Sequence, residues 1–225
     1  MKRDNKNIWF FTIGMVVIIS LLSGCAMLQK LRDTKSHVYL RADVNTSESK
    51  ILTFPLLLKR ESGFAEANKN VDDTSMEALV GSSWAGELGK DNVVPVPKAI
   101  ISEIPKGWES LGTIVRVLDT ASAVEQTIDS PEVKKLIKTI GEKTQAGVGD
   151  LAMGFALVFE DEETFKATKV LHGNMGLFDT KQLTWKWITK VEFRYKVPVT
   201  YEVAIQDLFA ESWKILKEKN EGAVR

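Results

Sequence analysis

The chain has 225 residues, 44% of them hydrophobic and 27% charged, with 30 basic against 30 acidic side chains and a pI near 6.8. That composition excludes a disordered or collagen-like chain, and the missing basic excess argues against nucleic-acid binding. One cysteine excludes an internal disulfide and a multi-cysteine metal site, and two histidines, His37 and His172, leave little for a histidine-based centre.

The amino terminus carries the strongest signal. Lys2, Arg3 and Lys6 precede an uncharged run from Ile8 to Leu22. A basic segment followed by an apolar stretch of this length reads as a secretory signal peptide, too short for a spanning helix of roughly 20 residues. Leu22-Ser23-Gly24-Cys25 then resembles the bacterial lipobox. The resemblance implies cleavage before Cys25 and acylation of its sulfur and its new amino group, so that membrane lipid becomes the first partner. One acyl chain holds a protein only marginally, and stable anchoring takes more than one.

Cleavage leaves 201 residues; with Lys2, Arg3, Lys6 and Asp4 removed, 27 basic and 29 acidic side chains remain. In similar Gram-negative lipoproteins the residue after the cysteine influences sorting. Ala26 is not the aspartate associated with inner-membrane retention, so residence at the outer membrane, facing the periplasm, is expected. The expected domains are a signal peptide (1–24), a lipidated tether (25–36) and one α/β domain (37–225). The tether beyond the cysteine spans roughly 18 Å as a flexible coil.

Within the domain, residues 38–44 have a partial two-residue period and read as an edge strand. Ile51 to Leu58 reads as a buried strand in which Pro55 favours an edge or a bulge. Residues 61–70 read as loop. Thr74 and Glu77 form a capping box before Met76, Leu79, Val80, Trp84 and Leu88 at helical spacing. In that stretch Gly81 to Gly86 comes near a nucleophile-elbow pattern but has one residue too many, and reads as a helix interruption. Residues 93–97 are extended. A helix from Ala99 is stopped by Pro105 and Gly107, and the spacing of Ile114, Val117, Leu118, Ala121, Val124 and Ile128 favours another, although Thr113 to Val117 alone also fits a strand. Ser130-Pro131 opens a third, on Val133, Leu136, Ile137 and Ile140.

After the turn at 147–150, large residues alternate with small ones from Leu151 to Phe159, which predicts a strand covered on both faces. Residues 160–163 read as a charged turn and 165–178 as a strand, with 179–182 closing a hairpin. On the next strand Leu183, Trp185, Trp187, Val191, Phe193 and Tyr195 share one face; Thr184, Lys186, Lys190, Glu192, Arg194 and Lys196 share the other, Ile188 excepted. Pro198 ends it, and residues 204–216 form an amphipathic last helix. The expected fold class is α/β, a mixed and largely antiparallel sheet with helices packed on it.

This order of elements resembles the TolB amino-terminal-like domains of envelope lipoproteins, a group that includes the curli secretion lipoprotein and the activators of peptidoglycan synthases. The resemblance rests on helix 131–145, Gly149-Asp150 and strand 151–159, then on Leu177-Phe178-Asp179-Thr180 with Leu183 and Trp185 after it. It implies a TolB amino-terminal-like fold over about 51–218. The synthase activators reach their enzymes on a long tether, and this tether is short.

The familiar enzyme motifs are absent. Gly147 and Gly149 precede a strand rather than a helix, and residues 160–163 lack the spacing of an EF-hand. The aromatic face of 185–195 admits three readings: sheet core, exposed partner patch, or the wall of a pore built from many copies. The sequence therefore predicts a non-enzymatic lipoprotein without a cofactor, metal or catalytic residue. Its one assignable site is lipid attachment at Cys25. Its expected partners are membrane lipid, envelope proteins and, as one option, further copies of itself. Its expected role is a protein-binding accessory in secretion, transport or envelope assembly, with regulation of peptidoglycan synthesis or an oligomeric export pore as alternatives.

Overall fold

A computed structural model describes residues 31–41, 50–59, 63–69, 74–119, 123–144, 146 and 151–223. Cys25, the signal peptide and the turn at 147–150 lie outside them. The strands are β1 (Arg32–Leu40), β2 (Lys50–Thr53), β3 (Leu57–Leu58), β4 (Val93–Pro95), β5 (Leu151–Val158), β6 (Val170–Asp179) and β7 (Thr184–Tyr195). They form one mixed sheet in the order β1-β7-β6-β5-β2-β4, with β3 prolonging the line of β2 beside β5. The long pairings, β1–β7, β7–β6 and β6–β5, are antiparallel; β2 lies parallel to both β5 and β4. Parallel neighbours need crossovers, and the helices supply them.

Helices cover both faces. On one pack α1 (Phe64–Lys69), α3 (Lys98–Glu103), α4 (Gly107–Val115) and α5 (Pro131–Lys143). On the other pack α2 (Thr74–Leu88), α6 (Glu162–Thr168) and α7 (Tyr201–Ala223). Strand β5 sits between the layers with all eight residues buried. Leu151, Met153, Phe155 and Leu157 enter the α4 side, whereas Ala152, Gly154, Ala156 and Val158 face the layer of α2 and α7, where the small residues admit large helix side chains such as Trp84. The alternation read from the sequence thus separates the two cores. Ser130 caps α5 as expected: its hydroxyl oxygen accepts from Val133 N at 3.1 Å, with Pro131 in the first turn.

Several expectations change. Strand β1 begins at Arg32, so residues 32–36 belong to it and not to the tether; they pair with Val191 to Tyr195. Residues 64–69 are helix, not loop. Asn68, buried, accepts from Leu58 N and donates to Leu58 O and Phe64 O, which ties this one-and-a-half-turn helix to β3. Helix α2 runs unbroken through Gly81 and Gly86. Neither glycine forces a break: a Cβ at Gly81 would meet only Pro95, at 3.9 Å, and one at Gly86 nothing. The helix expected across 114–128 ends at Val115 and gives way to two 3-10 turns, 116–119 and 123–125. The charged turn at 160–163 is a helix start, since Asp161 accepts from Thr164 N at 2.8 Å and caps α6. Phe165, the buried residue of α6, enters the core beneath it.

The largest correction concerns β7. Leu177 stands opposite Trp187 but Phe178 opposite Trp185, so Lys186 is an extra residue in a β-bulge. The bulge reverses the alternation. Trp185 and Ile188 enter the α4 side, while Trp187, Val191, Phe193 and Tyr195 face α7. All six are buried, which overturns the exposed-patch and pore-wall readings of this strand.

Candidate functional sites: a clamped edge strand and an open polar sheet face

Cys25, where the sequence predicts lipid attachment, precedes the first described strand by seven residues, so what fixes β1 bears on any anchoring through it. Arg32, its first residue, is half-buried, with its side chain tucked against the α7 side. Its guanidinium stacks over Phe193 at 4.2 Å from the ring centroid and pairs with Asp207, with Glu211 at 3.9 Å. Tyr195 Oη donates to the same Asp207 carboxylate at 2.9 Å. Two carboxylates one helical turn apart on α7 thus hold the entry point of the chain.

Burial first, and then the Asp207 carboxylate, push the Tyr195 phenol well above its ordinary value near 10. The folded state therefore favours the protonated phenol. Its stabilisation is complete below pH 10 and is lost as pH rises beyond that, where the unfolded chain ionises first. Urea midpoints measured across this range are expected to fall, and to fall less steeply in Tyr195→Phe. Parallel curves for the two proteins contradict the assignment.

The second feature is the half of the α4 face that, among the described residues, no helix covers. There β1 contributes Lys35 and His37, β7 contributes Lys190 and Glu192, and β6 contributes His172 and Asn174, brought side by side by the antiparallel register. They line an open cleft of about 500 Å³ together with Phe159 and Glu160. Glu160 accepts from the backbone N of His172 at 2.7 Å and meets His172 Nδ1 at 2.5 Å; His172 Nε2 lies 3.8 Å from Glu192, which Lys35 also contacts at 3.3 Å. Asn174 donates to Leu118 O at 3.2 Å where the cleft meets the core. The charges balance in place, so the surface suits contact with another polar surface rather than attraction of a strongly charged partner.

The polarity of Lys190, Glu192 and Arg194 was visible in the sequence as the outer face of β7. That both histidines line one cleft depends on β1 and β6 flanking that strand, which no local pattern encodes. Among the described residues, no group of three or more His, Cys, Asp or Glu side chains is placed to hold a metal ion. A further cavity of about 380 Å³ opens beyond the carboxyl ends of β3 and β5, walled by Pro55, Leu56, Leu58, Met76 and Tyr201.

No family model matches this chain, and no curated protein matches it. Among solved structures it is similar to PelC dodecamers from Paraburkholderia phytofirmans. One crystal form aligns at 11% identity and a TM-score of 0.41, and a point variant aligns at 10% and 0.40. Each alignment covers 80% of this chain and 95% of the other.

Proposed function

We propose that this chain is a non-enzymatic lipoprotein of the cell envelope, anchored through acylated Cys25, whose α/β domain binds protein partners beside the membrane as an accessory to secretion, transport or envelope assembly. The observation that carries this reading is the short path from the lipobox to the clamped strand. Residues 26–31 span about 20 Å at full extension, so partners must be met close to the bilayer. The uncovered polar sheet face offers a surface for them. Ala26 supports the outer membrane, facing the periplasm, as the site of residence. The resemblance to TolB amino-terminal-like lipoproteins supports a binding role rather than catalysis. A synthase activator needs reach, and a tether that ends at Arg32 is shorter still than the sequence predicts, so regulation of peptidoglycan synthesis is the weaker reading.

The test is a photo-crosslinker at position 37, in the intact lipoprotein in native membranes, beside a Cys25→Ser control. A defined adduct with an envelope protein, lost in the control, is the expected result. A hydrolase activity abolished by His172→Ala or Glu160→Gln in folded protein overturns the non-enzymatic reading.

A further inference from the structure

Among the described residues two large apolar side chains are exposed, Leu31 at 36% and Val203 at 37%. Scattered apolar residues on a surface need no explanation. These two are not scattered. Lys196 N donates to Leu31 O at 2.8 Å, which places Leu31 at the carboxyl end of β7. Val203 lies in the first turn of α7, one turn before Asp207, which holds Arg32. Both side chains therefore sit at the end of the domain where the chain arrives from Cys25.

We propose that this end rests on the bilayer, with Leu31 and Val203 inserted among the lipid headgroups, so that the lipid surface fixes the orientation of the domain. The inference rests on acylation of Cys25. Three features favour lipid over another occupant. Six residues separate the cysteine from Arg32, so the membrane is always within reach of this end. The anchor makes the contact intramolecular, so that a weak interaction suffices to hold it. Two of the neighbouring cations are already neutralised in pairs, Arg32 with Asp207 and Lys196 with Asp33 at 2.7 Å. Glu202, next to Val203, is turned roughly 100° around the helix and stays on the watery side. Seated in this way, the hairpin turn at 180–183 points away from the membrane, a β7 length of roughly 40 Å distant. The polar cleft opens sideways, just above the headgroups.

The chain's lone cysteine makes the test specific, because its sulfur is occupied by the acyl chain. Val203→Cys and, as the distal control, Lys181→Cys are labelled with an environment-sensitive fluorophore in the mature lipoprotein. The protein is purified from membranes, its acyl mass verified, and reconstituted in phosphatidylethanolamine–phosphatidylglycerol vesicles. The expected result is a blue-shifted emission at position 203 that nitroxide-bearing lipids quench, with neither effect at position 181. Equal, water-like emission at both positions in acylated protein overturns the seating while leaving the anchor intact. A blue shift that lipid nitroxides do not quench means that a second copy or another protein covers Val203, and overturns it as well. A mature protein without acyl mass on Cys25 overturns the anchor itself, and the seating with it.

Discussion

Arg32→Ala is expected to destabilise the domain by about 3–5 kcal/mol, because removing the guanidinium from a largely buried charge cluster leaves Asp207 without its cation, Glu211 keeping Lys214 at 3.7 Å. The guanidinium has a side-chain exposure of 7%, and the two carboxylates it holds are 26% and 9% exposed. Without it, Asp207 and Glu211 face each other across one turn of α7, and Tyr195 Oη is the remaining donor to Asp207 that the clamp provides. The ring of Phe193 also loses the cation lying over it. Arg32 Nε, buried without a partner, shows that the cluster is not fully satisfied even in the native protein. It follows that the triple replacement Arg32→Met, Asp207→Leu, Glu211→Leu should be far less damaging than the single change. Urea unfolding of Cys25→Ser protein measures both. A cost below about 1 kcal/mol for Arg32→Ala, the range of exposed pairs, contradicts the clamp. Because β1 is an edge strand held laterally by β7 alone, the same variant should also release its amide protons to exchange first.

The clamp illustrates what the sequence could and could not disclose. Arg32 and Asp207 are 175 positions apart, and nothing local marks either as the other's partner. By contrast, the resemblance to a lipobox is legible because it is local, carried by the four adjacent residues 22–25. Strand β5 is legible because its two faces pack against different layers, so the large and small residues alternate without interruption. Helices α1 and α6 are not, since each is shorter than two turns and too short to develop a helical period. They are fixed by single residues, Asn68 and Phe165, whose roles depend on distant strands. The bulge in β7 falls between these cases. A two-residue period laid over 183–195 leaves two misfits, Thr189 on the apolar face and Ile188 on the polar one, and Ile188 is the trace of the extra residue at Lys186. Read as an exception, it concealed the division of the aromatic residues between two cores.

That division leads to the second large effect. Trp84 of α2, Trp187 of β7 and Trp213 of α7 form a cluster with ring centroids 5.9, 5.2 and 5.5 Å apart. Trp84, fully buried, lies flat against the backbone of Gly154 on β5, where a Cβ would stand 2.9 to 3.0 Å from three carbons of the indole. An indole clasped between two others has no room to retreat, unlike the tip of a leucine. Gly154→Ala is therefore expected to cost about 1–3 kcal/mol by overpacking, and Trp84→Ala about 3–5 kcal/mol by leaving a cavity. The two changes touch the same space, so they should not add. In Trp84→Ala protein the methyl at position 154 fills part of the void, and the double variant should be no less stable than Trp84→Ala alone. A double-mutant cycle by chemical denaturation reads this coupling. Strict additivity would mean that Gly154 is required by the backbone of β5 and not by the ring above it. The expected coupling instead makes the glycine the floor on which α2 seats its tryptophan. Through Trp187 and Trp213, that seat also locks α7, the helix whose other end holds Arg32.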